Sequence, residues 1–405
     1  MSQPSAPAGS APLAGIKVID LSAYIAGPYG GALLADLGAE VIKIEPPDGD
    51  NLRKYPSTLA AESRAFLGVN RGKRGVCLDL KQPAGQEILR RLARQADVLL
   101  HNFRPSVPAR LGIDYAALSA VNPRLVYCAM TGYGQSGPLA DNAGYDQVLQ
   151  ARTGICAAQG MGQGGPEIVY GSVVDYYAAA MVSNGITAAL YQRERTGRGQ
   201  EVSVSLLGSA LAMQSARLVM QRDEPRDINR DMRSGGITGI HPTKEGHLYL
   251  SANTAHFWKS LCTLIGMPGL AGNERYDSVK KRAAHADELI PMIRQGLAAR
   301  TALEWEETFG VAVPCAAVRK VEDMFDDPQV AAQGFIMDMR HCKAGAYKGV
   351  ANLIKFGEHP EGTRPYGAPG LGEHSRAVLA ELGLSPQEID AAFASGAAAE
   401  HDTGA

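Results

Sequence analysis

The chain has 405 residues, of which 45% are apolar and 20% charged, enough to bury a large core and to divide into two or three domains. Lys plus Arg total 40 against 42 for Asp plus Glu, a balance that argues against the one-signed field of a nucleic-acid or membrane-surface binder. Any anion site must be local.

The start, Met1 to Pro12, is Ala/Ser/Pro-rich without a signal pattern, and no stretch of about 18 apolar residues occurs, so no membrane partner and a cytoplasmic location are expected. From Ile16 to Leu21 a β-branched run precedes the turn Ala26-Gly27-Pro28 and an Ala/Leu segment ending at Gly38. Glu40 to Glu45 is a second strand, which completes a βαβ unit. The pattern repeats with a strand at Gly75 to Leu80, a helix from about Ala84 to Arg94, a strand at Asp97 to His101, a helix near Tyr115 to Val121 and a strand at Leu125 to Met130. Such alternation predicts an α/β fold, a mostly parallel sheet covered by helices on both faces. A helix from Asp175 to about Arg195 stops at Thr196-Gly-Arg-Gly-Gln200, and Glu201 to Leu206 resumes as a strand. Beyond Arg222 the texture becomes charged and Gly-rich, which predicts a smaller α+β domain over 223–334. The large domain is expected over 13–222 and 335–395, with a disordered tail at 1–12 and a mobile one at 396–405.

The six cysteines are scattered, with no C-x-x-C pair and no histidine at metal-ligand spacing, so free thiols and no metal site are expected. The first βα turn lacks the G-x-G-x-x-G of dinucleotide enzymes, and G-x-S-x-G is absent, which disfavours a dehydrogenase and a serine hydrolase. The Gly-rich segment from Ala158 to Gly165 resembles a phosphate cradle but lacks the Lys-Ser/Thr pair of a P-loop, and it reads equally as a surface loop. Arg71, Lys73, Arg74 and Lys81, then Arg104 and Arg110, form a basic cluster. They read either as a solvated face or as an anion site, because Lys81 and Arg104 follow strand ends, where open α/β sheets bind ligands. Asp175 has two readings as well. It suits the cap of its helix, and it suits a nucleophile whose anionic states the helix N-terminus would stabilise.

Several segments together resemble the class III CoA-transferase family (CaiB/BaiF-like), which includes formyl-CoA transferase, carnitine CoA-transferase and the related alpha-methylacyl-CoA racemases. They are Gly15 to Leu21 with Ala26-Gly-Pro28, Leu37 to Glu45, Asn70 to Asp79, Asn102-Phe-Arg-Pro105, Thr196 to Gln200, the stretch around Cys315, and Gly370-Leu-Gly-Glu-His374. The resemblance implies a Rossmann-like large domain, a smaller domain and an interlocked homodimer. It implies coenzyme A as a substrate, with acyl-CoA and small carboxylates as partners and no tightly bound cofactor or redox group.

By motif position Asp175 falls on the family's nucleophilic aspartate. Ala26, Leu78, Lys81, Asn102, Phe103, Arg104 and Arg110 fall on CoA-contacting positions or beside them. Ala23, Ile25 and Pro46 depart from the CoA loop of formyl-CoA transferase, which speaks against oxalate as acceptor. The racemase branch places a histidine where this chain has Tyr145, whose ordinary pKa of about 10 makes it a poor base. Transfer is therefore expected rather than the alternative, racemase-like epimerisation. The mechanism implied is an aspartyl anhydride followed by an aspartyl-CoA thioester, with Tyr145 orienting a carboxylate. The oxyanion donors are assigned to Gly235 and Gly236 and to the helix start at Asp175.

Overall fold

In a computed structural model of the chain, residues 11–159, 165–228, 237–358 and 366–401 are described. Two compact units divide it, one built from residues up to Leu218 and from Gln329 onward, the other from Val219–Pro328.

The first unit carries a sheet made of β1 (Lys17–Asp20), β2 (Glu40–Glu45), β3 (Lys73–Leu78), β4 (Val98–His101), β5 (Val126–Thr131) and β6 (Glu201–Ser205). These run parallel in the order β3-β2-β1-β4-β5-β6, which is the doubly wound dinucleotide-binding order. The central strands β4 and β5 are buried along their whole length because both faces are covered, whereas the edge strand β6 alternates. Neighbouring residues split between two cores: Val18 and Leu100 pack on one side, Ile19 and Leu99 on the other. The helices are α1 (Ala26–Asp36), α2 (Arg64–Val69), α3 (Pro83–Gln95), α4 (Ser106–Leu111), α5 (Tyr115–Val121), α6 (Asp146–Arg152), α7 (Ile155–Gln159) and α8 (Val173–Thr196). α3 turns Ile88, Leu89 and Leu92 onto one face of the sheet, while α8 turns Val174, Ala178, Val182 and Ile186 onto the other.

α1 lies directly on α8. A Cβ built on Gly30 would sit 2.8 Å from Val182 Cγ1 and 3.3 Å from the Ala179 carbonyl, so this glycine sets how closely the two helices approach. Beneath α1, Lys73 and Asp20 form an ion pair at 2.8 Å with both side chains fully buried. Lys73 Nζ also donates to the Pro28 carbonyl and to Asn70 Oδ1, so all three of its donors are used.

The second unit contains the antiparallel sheet β7 (Gly239–Pro242), β8 (His247–Leu250) and β9 (Cys315–Ala317). Trp258, Leu261, Ile293, Trp305 and Phe309 from its helices cover one side of that sheet. Back in the first unit, β10 (Ile336–His341) and β11 (Gly345–Val350) form a hairpin. The chain then ends in β12 (Ala398–Ala399), antiparallel to β3, with Ala398 opposite Leu78. The mobile tail expected over 396–405 is corrected for its described part, 396–401: Ala397 and Ala398 are buried, and the Ala397 carbonyl accepts from Asp79 N at 2.9 Å. Two small residues fit the edge of a sheet closely, and their composition alone mimics a mobile end. The tail expected at 1–12 lies almost wholly outside the described residues.

Candidate functional site

In the order above, the connection after β1 leads to β2 on one side and that after β4 leads to β5 on the other, so the crevice at the C-terminal ends of β1 and β4 is the switch point where such sheets bind ligands. The turn after β1 occupies it. Asn102, just beyond β4, clamps that turn: its Nδ2 donates to the Ala23 carbonyl at 2.7 Å and its Oδ1 accepts from Ala23 N at 2.9 Å. Lys43 and Asp50 clamp the other side, with Lys43 Nζ on the Ser22 carbonyl and Tyr24 N on Asp50 Oδ1. Tyr24 consequently holds a left-handed backbone with φ of 65°.

Two cavities adjoin this turn. A groove of about 350 Å³ is lined by Ser22, Ala23, Pro46, Leu78, Lys81 and Phe103 among others. A smaller cavity of about 160 Å³ is lined by Tyr24, Tyr55, Asn102, Tyr145, Ser172 and Asp175 with several apolar neighbours. Three tyrosines gather there. Tyr24 meets Tyr145 edge-on with ring centroids 5.8 Å apart and Tyr55 at 6.3 Å. The Tyr145 phenol is held above its ordinary pKa by its hydrogen bond to Tyr24 and by that neighbour's charge when ionised.

Asp175 lies in the first turn of α8, behind Ser172, which caps the helix in a left-handed conformation with φ of 58°. Tyr24 and Ser172 are two of the three non-glycine residues with positive φ among the described residues, and both line the same cavity. Strain of this kind, about 1–3 kcal/mol per residue, persists where the surroundings over-determine the backbone.

The reading of Asp175 as the helix cap is corrected. The carboxylate that satisfies the helix start belongs to Asp146: its Oδ2 accepts from Val174 N at 2.6 Å and from Asp175 N at 3.1 Å. Asp146 is buried and its other oxygen accepts from Gln150 Nε2. The expectation that the helix start supplies oxyanion donors is corrected by the same contacts, since those N–H groups are already used. Asp175 itself is pushed up to about 7, first by burial and then by repulsion from the Asp146 carboxylate.

The basic cluster divides. Arg71 pairs with Asp36 at 2.6 Å, Lys73 with Asp20, and Arg74 with Glu40 and Glu381, so these three hold the fold together and do not form an anion site. Lys81 lines the groove. Arg104 and Arg110 are exposed on the segment after β4 and line neither cavity, although the Arg104 charge reaches Tyr145. Leu78 and Phe103 line the groove, whereas Ala26 and Asn102 line the smaller cavity. His101 is buried and pushed down to about 4; its ring stacks on Phe103 and its Nδ1 accepts from Phe103 N, which fixes that residue at the groove. Gly235 and Gly236 lie outside the described residues, as does most of the Gly-rich segment from Ala158 to Gly165.

Sequence reading missed Asp146, Gln150, Tyr24 and Tyr55. Asp146 directly follows Tyr145, yet its cap is on a helix 28 residues away, so no local spacing signals it. Tyr24 carried no signal either, because a left-handed turn residue is ordinarily Gly or Asn.

A Rossmann-type sheet with a partly buried, raised carboxylate beside the switch-point crevice defines a class that the comparisons then specify. CoA-transferase family III matches residues 13–375, and the chain belongs to that family. It is 36% identical to the succinate–glutarate CoA-transferase of Agrobacterium fabrum, an alignment covering 92% of this chain and 96% of that one. It is 30% identical to the human succinyl-CoA:glutarate CoA-transferase over 97% of this chain and 91% of that one. The acetyl-CoA:oxalate CoA-transferase of Acetobacter aceti is 35% identical over 94% and 97% of the two chains. Among solved structures, a CaiB/BaiF family protein from Brucella suis superposes with a TM-score of 0.80 at 30% identity, covering 92% of this chain and 99% of that one.

Proposed function

We propose that this enzyme moves CoA from succinyl-CoA to a small dicarboxylic acid, glutarate being the leading acceptor, through covalent intermediates on Asp175. The observation that carries the reading is the placement of Asp175: a partly buried carboxylate with a raised pKa in a cavity that shares its wall, the turn after β1, with the Lys81 groove. The acceptor is inferred from the glutarate transferases at 36% and 30% identity. The 35% match to an oxalate enzyme keeps oxalate in the acceptor series, against the expectation from Ala23, Ile25 and Pro46.

In the proposed cycle the CoA moiety lies along the groove, with Lys81 beside its phosphates and Phe103 against an apolar part. A carboxylate oxygen of Asp175 attacks the thioester carbonyl, the C–S bond breaks, and CoA leaves as thiolate from an aspartyl-succinyl anhydride. The thiolate attacks the aspartyl carbonyl, the anhydride C–O bond breaks, and succinate departs from an enzyme-CoA thioester. The acceptor carboxylate then attacks that thioester and the same two steps run in reverse. Each step needs only an anionic nucleophile, carboxylate or thiolate, and an activated carbonyl, thioester or anhydride, with no external oxidant or base. Tyr145, held protonated, orients the free carboxylate by donating its hydroxyl. Epimerisation would need a second base on the acyl chain, and a phenol held above its ordinary pKa does not supply one.

The test is intact mass after mixing enzyme with succinyl-CoA: a CoA adduct is expected, absent in Asp175→Ala. Turnover near wild type in Asp175→Ala would sink the assignment. Solvent deuterium entering the acyl α-position without acceptor would instead favour the racemase reading.

We further place the protein in the cytoplasm as a homodimer. Six free cysteines fit a reducing compartment. The outer side of α8 exposes Tyr177, Met181 and Tyr191 in one stripe, an apolar face suited to a second copy. Sedimentation at two concentrations checks this.

A further inference from the structure

Helix α8 offers its N-terminal N–H groups at the point where Asp175 sits, and a free helix start would hold a carboxylate there well ionised and weakly nucleophilic. Asp146 removes that offer. Its Oδ2 takes Val174 N and Asp175 N, while Gln150, one turn further along α6, donates to the opposite oxygen. Gln150 is fully buried and fixed on its own account. Its Nε2 donates to the Val169 carbonyl at 2.9 Å and its Oε1 accepts from Val169 N at 2.8 Å, a two-point grip on the segment leading into Ser172. α6 thus holds both the charge and the chain that position α8.

We propose that Asp146, held in place by Gln150, is a positioning residue that occupies the helix-start donors, so that the Asp175 carboxylate is left without the stabilisation its own helix would give. The inference rests on Asp175 being the nucleophile. The other groups around Asp175 come from four directions. Tyr24 follows β1, Tyr55 follows the short turn after Asp50, Tyr145 precedes α6, and Tyr176 lies on α8 against Tyr29 of α1. Tyr55, Tyr145 and Tyr176 are all held above the ordinary tyrosine range and stay neutral near pH 7. Arg104 reaches Tyr145. Among the described residues, Asp146 is therefore the charged group acting directly on Asp175.

The experiment compares kcat/KM for succinyl-CoA, with glutarate as acceptor, from pH 5.5 to 9 in the wild type, Asp146→Asn and Gln150→Met. Asparagine keeps an acceptor for the two N–H groups but removes the charge. Its acid limb is expected to move down by about one pH unit or more. Since nucleophilicity falls with basicity at a slope of about 0.4–0.5, kcat at pH 8 is expected to fall about threefold, with KM within about twofold. Gln150→Met is expected to shift the limb in the same direction by less. An acid limb left in place while kcat falls, or a change carried by KM, overturns the proposal; if Gln150→Met does not fold, Asp146→Asn decides alone. A CoA adduct seen by intact mass in Asp146→Asn and absent in Asp175→Ala keeps the nucleophile reading separate, because an adduct in Asp175→Ala would overturn that reading instead.

Discussion

At the scale of single residues, Asp175 works against the stability of its own fold. Its pKa is near 7 in the folded protein and about 3.9 unfolded, so the unfolded state releases the proton more readily. Folding is unpenalised below about pH 4, and the penalty grows as pH rises through 7. Asp175→Asn is therefore expected to raise the melting temperature at pH 8 and hardly at pH 4. The ceiling is about 4 kcal/mol, lowered by the solvent that reaches a partly buried carboxylate. Equal gains at the two pH values would contradict the ionisation argument. Activity runs the opposite way: kcat/KM is expected to fall below pH 7 in proportion to the ionised fraction. Asp175 was legible as a candidate because its motif neighbours are local, and the structure puts it in the smaller cavity. The capping alternative left open beside it fails, because the carboxylate that satisfies the helix start arrives from α6 through a contact that spacing does not encode.

At the scale of elements, the α1–α8 pair decides the geometry of the crevice. Gly30 has no room for a side chain between Val182 and the Ala179 carbonyl. Gly30→Val is expected to push α1 off α8 and to cost about 1–3 kcal/mol of stability by overpacking, read as a lower urea midpoint. An unchanged midpoint would mean the helices have slack. Lys73→Met tests the support beneath α1. It strands Asp20 as a buried unpaired charge, and a loss of about 3–5 kcal/mol is expected in the same assay. The parallel strands and α3 were legible from apolar periodicity, since β-branched runs alternate with amphipathic stretches. α6, α7 and the β10–β11 hairpin were not. The helices are 7 and 5 residues long, too short for a clear period, and the hairpin strands carry Asp338, Arg340 and Lys348 on exposed positions.

At the scale of the whole chain, the α/β class follows from the alternation of strands and helices, but the strand order does not, because apolar runs buried on both faces say nothing about which neighbour each strand pairs with. β12 shows the limit of composition. An Ala/Gly-rich ending resembles a loose tail, yet Ser375 Oγ donates to the Ala399 carbonyl at 2.7 Å and β3 pairs with it from the other side. Deleting the chain from Gly396 onward is expected to lower the melting temperature by roughly 2–4 °C for each kcal/mol of pairing lost. A truncated protein melting with the full-length one would show β12 to be dispensable.

The division of the first unit has a consequence for synthesis. Its sheet cannot be finished when β6 leaves the ribosome, because the strand that seals the β3 edge lies at Ala398–Ala399, after the whole of Val219–Pro328 has been made. The nascent chain must therefore carry an incomplete sheet with an open edge, able to pair wrongly with other chains, until Ala398–Ala399 has been made. Chaperone demand during expression should accordingly fall on the early half of the polypeptide, and it should ease in a circular permutant that brings residues 366–401 in ahead of β1.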